Sequence, residues 1–332
     1  MGVLLAYSKI SLDQALLHSD LPDDADFLPI LVNYFPQALQ QRFLSQMERH
    51  HLKREIISNQ LANQIINRMG TSFVFRLQEE SPFSAAEIAR AWWVASRVFD
   101  AENLWRQIEA LDNRVPADSQ MTMMVLVRTL VERVTRWVLR NKRPIASVDA
   151  VILHYAHSVQ ALLAQLPDLI GSQQYPGVAE WEARLNKPQV PEALSRVLAR
   201  LEFAVPLMDI IEIAETGQVA YDDVARNYYR LEGALQLDWL RDAITGLPRD
   251  NRWQSLARSA LRDDLYRMQR SLTSLALAEP GVGAMFAENW LSARAHDVEI
   301  CHQMFAELQA FETLDLAMLS AGMRELSNHL LS

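Results

Sequence analysis

Glycine, cysteine and strand-like alternation are scarce in this sequence of 332 residues. It has 10 glycines, well below the share of about 7% in average proteins. It has one cysteine, Cys301. A single cysteine excludes an internal disulfide framework and is typical of a reducing compartment, so we expect a cytoplasmic protein. Because 50% of the residues are hydrophobic and period-two patterns are rare, the composition predicts an all-α fold with a large core.

The chain also lacks excess positive charge and long apolar runs. Its formal net charge is −9, which argues against nucleic acid as a partner, since phosphate recognition relies on clustered Lys and Arg. No apolar run approaches the roughly 18 residues that span a bilayer. The first ten residues carry no basic segment followed by a small-residue cleavage site. We therefore expect neither membrane insertion nor secretion.

Apolar spacing predicts helices along the whole chain. The clearest pattern starts after Trp253, where apolar residues recur at steps of three and four through Leu275. Asp250 is the expected N-cap of this helix, and residues 279–283 are its expected stop. Similar patterns predict helices over 37–50, 52–69, 84–98, 101–111, 118–141, 147–165, 191–215, 219–244, 284–310 and 313–330. Together they predict a multi-helix array or bundle.

Short-range signals predict where some helices begin. Ser11 with Gln14, and Ser84 with Glu87, fit the capping box in which two side chains satisfy orphan amides of the first turn. Each pair predicts a helix start. Segment 72–77 is the one candidate for an extended piece, and its alternation is too brief to predict a sheet.

Proline and glycine mark the joints between these helices. The longest gap lies at 167–191, which fits either an ordered loop or a boundary between two helical subdomains. We predict a first subdomain over 1–166, this connecting loop, and a second subdomain over 192–332. Pro206 should kink or split the helix that contains it, because proline removes a backbone donor and clashes with the preceding turn.

Known catalytic and cofactor motifs fail on inspection. Gly281 and Gly283 resemble the start of a dinucleotide fingerprint, but no strand precedes them and the third glycine is missing. His296, Glu299 and His302 are spaced three plus three, unlike the H-E-x-x-H arrangement of a zinc site. We predict no catalytic, cofactor-binding or metal-binding residue in this chain.

Three asparagines, Asn59, Asn63 and Asn67, recur at four-residue spacing in the predicted helix over 52–69. Asparagine is a poor helix former, because its amide competes for backbone groups, so three in one helix need support from elsewhere. At about 100° per residue they run beside an apolar arc. A docking interface and a solvated edge both fit this pattern.

Four arginines, Arg133, Arg136, Arg140 and Arg143, share one face of the predicted helix over 118–141 and the residues just after it. A basic stripe fits a docking site for an acidic partner, a solvated face, or, less well, a membrane surface. Glu132 supplies a four-residue ion pair with Arg136 in the solvated alternative. We predict that the arginines and the asparagines together form a docking interface.

Several long phrases carry a family resemblance. "ERHHLKREIISNQLANQIINRMGTSFVFRLQEE", "IARAWWVASRVFD", "LWRQIEALDNRVPA" and "RWVLRNKRP" resemble the C-terminal part of the large bacterial NAD-specific glutamate dehydrogenases. The resemblance follows the whole chain and is densest over 3–144. Members of this family oxidise L-glutamate to 2-oxoglutarate and ammonia with reduction of NAD. Their catalytic and nucleotide-binding residues precede the matching region, so the resemblance maps none of them here.

The resemblance implies a non-catalytic C-terminal region of a homo-oligomeric enzyme, inactive alone, with NAD bound by the parent. We expect this region to pack on the catalytic domain of its own chain or on a neighbouring subunit, and to influence closure of the active-site cleft. One alternative is a free-standing helical adaptor that binds a protein partner. A third alternative is an independent enzyme, which predicts a polar pocket with perturbed carboxylates or histidines.

Overall fold

A computed structural model describes residues 2–170, 176–279 and 285–331. Every regular element in those ranges is helical, which confirms the all-α prediction. The chain divides into two compact units, Met1–Gln160 with Leu185–Val205, and Ala161–Arg184 with Pro206–Ser332. Among the described residues, no helix combines the length and the apolarity that crossing a bilayer requires.

The first ten helices in chain order are α1 Gly2–Leu17, α2 Leu28–Tyr34, α3 Gln37–Gln40, α4 Leu44–Glu48, α5 Lys53–Met69, α6 Phe73–Glu80, α7 Ala85–Val98, α8 Ala101–Glu109, α9 Ala117–Asn141 and α10 Val148–Ile170. They are followed by α11 Pro176–Leu185, α12 Glu192–Arg200, α13 Leu207–Gly217, α14 Tyr221–Ala234, α15 Leu237–Gly246, α16 Arg252–Ala278, α17 Phe286–Ala293, α18 Ala295–Gln309 and α19 Leu316–Leu330. Short 3₁₀ turns cover Leu21–Asp23, Ala25–Phe27 and Leu201–Phe203.

The first unit is built around α5, α7 and α9, which contact one another. Apolar residues at steps of four on α5, Ile57, Leu61 and Ile65, are fully buried. α7 is buried on most sides and carries Trp92 and Trp93 into the core. α1 packs on α5 and α7, and α8 packs on α9. These contacts fix the orientation of the two helices that carry the predicted docking residues.

The second unit has its own core. α16 contacts α13, α14, α15, α17 and α19. The largest fully buried side chains here are aromatic, and Phe286, Trp290 and Phe305 lie in one cluster with leucines of α15, α16 and α19. The long helix predicted after Trp253 is α16, and it acts as the central element of this unit because its apolar face is long enough to contact five neighbours.

The capping predictions had mixed outcomes. Ser84 and Glu87 form a complete capping box at the start of α7, as predicted. The start predicted at Ser11 is wrong, because α1 already begins at Gly2 and the preceding apolar residues contain nothing that breaks a helix. The N-cap of α16 is Asn251 rather than Asp250: the Asn251 side chain accepts the amide hydrogen of Gln254.

Pro206 interrupts a helix, as predicted, whereas Pro167 does not. Pro206 separates α12 from α13, so the single helix predicted over 191–215 is split, as expected. Pro167, by contrast, lies inside α10, which continues to Ile170. α10 and α11 therefore place helical turns in the stretch 167–191, where the sequence predicted a loop. The boundaries of the two predicted subdomains stay a prediction.

The segment 72–77, considered as an extended piece, is helical. It lies at the start of α6, where Phe73, Val74 and Leu77 are buried on one side and Phe75 is exposed. Six residues of alternation do not separate a strand from a short amphipathic helix, and packing against α7 decides between them. Gly281 and Gly283, together with most of the predicted stop at 279–283, lie outside the described residues.

Candidate docking surface

The asparagine row lies on α5, on the side away from the buried arc. Asn59 and Asn67 are exposed and Asn63 is partly exposed. The Asn63 side-chain nitrogen donates to the Asn59 side-chain oxygen over 3.0 Å. A hydrogen bond between residues four apart therefore supports part of the row from within the helix. The row presents amide groups to solvent, and the prediction that a partner binds them stays a prediction.

The arginine row is less uniform than its spacing indicates. Arg136 is only 6% exposed, and its guanidinium faces α6. Arg133 donates to Glu202 over 3.1 Å, which ties α9 to the turn after α12. Arg140 and Arg143 are exposed, and Arg143 pairs with Glu87 at the start of α7. Only the C-terminal half of the row therefore faces solvent.

Arg136 is the centre of an ion-pair network that joins α6 and α9. Its Nε and Nη2 atoms donate to the two carboxylate oxygens of Glu80 over 2.8 and 2.7 Å. Its Nη1 atom donates to Glu132 over 2.9 Å, and Arg76 donates to the other oxygen of Glu132 over 3.1 Å. Such two-point contacts fix both distance and orientation. The sequence predicted the pair between Glu132 and Arg136 and missed the two partners on α6.

The electrostatics of this network favour the charged forms. Burial alone would raise the pKa of Glu132, but the positive charges of Arg136 and Arg76 outweigh it and lower that pKa to about 2. Burial alone would lower the pKa of Arg136, but the hydrogen bonds to Glu80 and the charge of Glu132 raise it above its ordinary value. Both groups stay ionised at neutral pH, so the network holds α6 on α9 through full charges.

Beside the exposed end of the arginine row lies a groove of about 500 Å³. Carboxylates of Asp20, Asp23, Asp24 and Glu87 line it together with Arg90 and Arg143. Arg90 pairs with Asp20 over 3.1 Å and with Asp24 over 3.4 Å. Of these aspartates, Asp24 also caps the turn Ala25–Phe27. The sequence did not predict that these carboxylates lie beside Arg90 of α7, because only the tertiary fold brings them together.

A second polar contact at this end of the unit concerns Asp26. One of its carboxylate oxygens accepts the hydroxyl of Ser147 over 3.1 Å and the amides of Val148 and Asp149 over 2.5 and 3.0 Å. A carboxylate from a distant turn thus caps the N-terminus of α10, where unsatisfied amides favour negative charge. This contact fixes the entry of α10 into the first unit.

The histidine and cysteine candidates have ordinary surroundings. The Nε2 atom of His302 lies 2.7 Å from the carbonyl oxygen of Ala234. Cys301 is 1% exposed, and burial raises the pKa of its thiol to about 11. In the part of the chain that the structure describes, no group of three or more His, Cys, Asp or Glu side chains is placed to hold a metal ion.

Sequence reasoning missed one further surface, on α1. Val3, Leu4, Tyr7 and Ile10 are exposed large apolar side chains on this one helix. The signal was available, because Val3, Tyr7 and Ile10 follow steps of four and three and the helix carries very few charges.

Residues 1–328 match the family described as glutamate dehydrogenase, C-terminal. The chain belongs to this family. It is 38% identical over 332 residues to the NAD-specific glutamate dehydrogenase of Pseudomonas aeruginosa, with 98% of this chain and 20% of that protein covered. The enzymes of the same name from Halomonas elongata and Mycobacterium tuberculosis are 36% and 31% identical over 299 and 330 residues. These matches cover 88% and 98% of this chain, and 18% and 20% of the two relatives. The chain thus spans about a fifth of the length of its curated relatives, and the resemblance derived from the sequence is confirmed.

Proposed function

We propose that this chain is a non-catalytic helical region of an NAD-specific glutamate dehydrogenase. The parent enzyme would convert L-glutamate, NAD and water into 2-oxoglutarate, ammonia and NADH in the cytoplasm. The observation that carries the proposal is the match of 98% of this chain to a fifth of a relative that bears that name. In this proposal the parent binds NAD, and the 332 residues form no NADH when they are expressed alone.

The proposed role is docking on the catalytic domain of the same chain or on a neighbouring subunit of a homo-oligomer. Of the predicted docking residues, Asn59, Asn67, Arg140 and Arg143 are exposed and Asn63 is partly exposed. Arg133 and Arg136 bind carboxylates of this chain, so in this proposal they position α9 rather than contact the partner.

Docking supplies a means of control. If the region binds one state of the catalytic cleft more tightly than the other, it shifts the equilibrium between open and closed enzyme. In many enzymes that close over their substrates, lid opening or product release limits turnover. The expected consequence is that weakening the docking surface changes kcat or KM without any change at a catalytic residue.

Replacing Asn59, Asn63 and Asn67 by Ala in the full-length enzyme tests this role. Alanine is the better helix former, by up to about 0.7 kcal/mol per residue, so the change should not weaken α5 itself. We expect altered subunit assembly, measured by light scattering, or altered glutamate-dependent NADH formation. Asn328→Ala, at an exposed position on α19, is the matched control. Unchanged mass, stability and rate in the triple variant would refute docking through this row.

The alternative is a free-standing helical adaptor. An immunoblot of source-cell extract with an antibody against this chain separates the two. A band several-fold heavier than 37.9 kDa supports the dehydrogenase, whereas a sole band at 37.9 kDa, with proteolysis controlled, supports the adaptor.

A further inference from the structure

Helix α1 carries apolar side chains on every side, with five polar residues, Ser8, Lys9, Ser11, Asp13 and Gln14, between them. Its 16 residues include one lysine, Lys9, and one aspartate, Asp13. Leu12 and Leu16 are 4% and 0% exposed and make up its buried side against the first unit. In a soluble fold a helix with a single buried side normally carries polar residues on the other, and a helix that is apolar all round is buried all round.

The outer face of α1 does not follow that rule. Val3, Tyr7 and Ile10 are 86%, 70% and 62% exposed. At 100° per residue they fall within an arc of about 60° that points away from Leu12. Leu4, 58% exposed, extends the same surface. Four large apolar side chains on about two turns of one helix form a contiguous patch of the kind that marks an interaction site.

The two most exposed large apolar residues outside α1, among those that the structure describes, lack this arrangement. Leu153 on α10 and Trp253 on α16 are 79% and 75% exposed, but no other large exposed apolar residue of the described chain lies within one helical turn of either. Single exposed apolar residues are normal on protein surfaces. Leu153 is therefore a suitable control position for the outer face of α1.

We propose that the outer face of α1 is covered by the remaining polypeptide of the dehydrogenase, through an apolar contact. This inference rests on the proposed function. Two observations favour this occupant: the relatives that match 98% of this chain are five times its length, and the face offers aliphatic and tyrosine side chains without a cluster of charge. The expected contact is an apolar groove whose rim accepts the Tyr7 hydroxyl, as tyrosine commonly does at interfaces.

Site-specific photocrosslinking in the full-length dehydrogenase tests the proposal. A benzophenone amino acid replaces Tyr7 in one preparation and Leu153 in the control, and crosslinked peptides are identified by mass spectrometry. We expect the probe at position 7 to join a peptide of the same enzyme outside the 332 residues, and the probe at position 153 to join none. Failure of the position 7 probe to crosslink, or crosslinks to α1 of a second copy alone, would overturn the proposal.

A charge substitution provides an independent readout. Lysine is a good helix former, so Tyr7→Lys with Ile10→Lys should leave α1 folded while placing two charges in the apolar contact. Deuterium uptake of the crosslinked peptide should rise roughly tenfold or more in rate, and Leu153→Lys should leave it unchanged. Equal uptake in both variants would contradict an apolar contact here.

These outcomes separate this proposal from the proposed function. A full-length enzyme that is sensitive to the asparagine substitutions but yields no crosslink at Tyr7 would retain docking and reject α1 as its site. A sole immunoblot band at 37.9 kDa would reject both.

Discussion

Replacing Arg136 by Met should destabilise the first unit far more than any exposed arginine replacement. The side chain is buried, and it makes three charge-assisted hydrogen bonds, two to Glu80 and one to Glu132. Methionine fills part of the volume but leaves two carboxylates without their main partner. Breaking a buried pair costs about 3–5 kcal/mol. We expect the lower end, about 3 kcal/mol, because Arg76 still neutralises Glu132 and both carboxylate side chains are 15% exposed.

Hydrogen exchange read by mass spectrometry is the suitable assay, because a chain of two compact units need not unfold in one step. Peptides from α6 and α9 report the network, and peptides from α19 in the other unit serve as the internal reference. Arg196→Met is the matched control, since Arg196 pairs with Glu192 four residues away and the two side chains are 57% and 68% exposed. The control should change the opening free energy by at most about 0.5 kcal/mol.

Two results would refute the reasoning about Arg136. Equal effects of Arg136→Met and Arg196→Met on α6 and α9 would mean that the network does not hold these helices together. The double replacement Arg136→Met with Glu80→Met should recover part of the lost stability, because apolar pairs replace buried ion pairs well. An additive loss in the double variant would contradict direct coupling between the two residues.

Three further predictions concern titration, thiol access and helix capping. The pKa of Glu132 falls from 4.5 to about 2 on folding, which stabilises the fold by roughly 3 kcal/mol above pH 4.5. This stabilisation is lost as the pH falls towards 2. The free energy of unfolding of Glu132→Gln should therefore lack this dependence on pH in the acid range. The Cys301 thiol, with a pKa of about 11, should react slowly with a thiol reagent at neutral pH until denaturant opens the unit, and rapid labelling of native protein would contradict its burial. Asp26→Ala should lower the stability of the start of α10 by about 1–2 kcal/mol, measured by hydrogen exchange of its first turn. Asp118→Ala, at the exposed start of α9, should lower the stability of that helix start by only a few tenths of a kcal/mol. Similar losses in the two variants would argue against the long-range cap.

The sequence predicted those elements whose determinants lie within one helix. The apolar steps of α16 and the capping box of Ser84 and Glu87 are local patterns, and both were confirmed. The errors arose where local signals compete. Asp250 and Asn251 are adjacent cap residues, and geometry selects the second. Ser11 carries a capping pattern, but nothing in the residues before it breaks a helix, so α1 runs from Gly2 through Ser11 without a new start.

The candidate surface was predictable only in part. Periodicity gives the angle of a side chain around its helix, but it does not identify the residue of another helix that this side chain contacts. Arg136 and Arg133 share a spacing pattern with Arg140, yet their partners Glu80 and Glu202 lie 56 and 69 residues away in the chain. No local pattern identifies such partners. The outer face of α1 was easier in principle, since a helix with few charges and apolar residues at steps of three and four is visible in the sequence itself.

Binding through the two proposed surfaces should respond differently to added salt. Contacts through Arg140 and Arg143 lie at exposed positions, so added salt should weaken them by screening. Contact through Tyr7 and Ile10 would remove apolar area from water, and salts such as sulfate should strengthen it. A full-length enzyme whose assembly weakens in sodium chloride but strengthens in sodium sulfate would therefore use both surfaces. Weakening in both salts would assign the main contact to the arginines, and it would leave the apolar face of α1 to a different role.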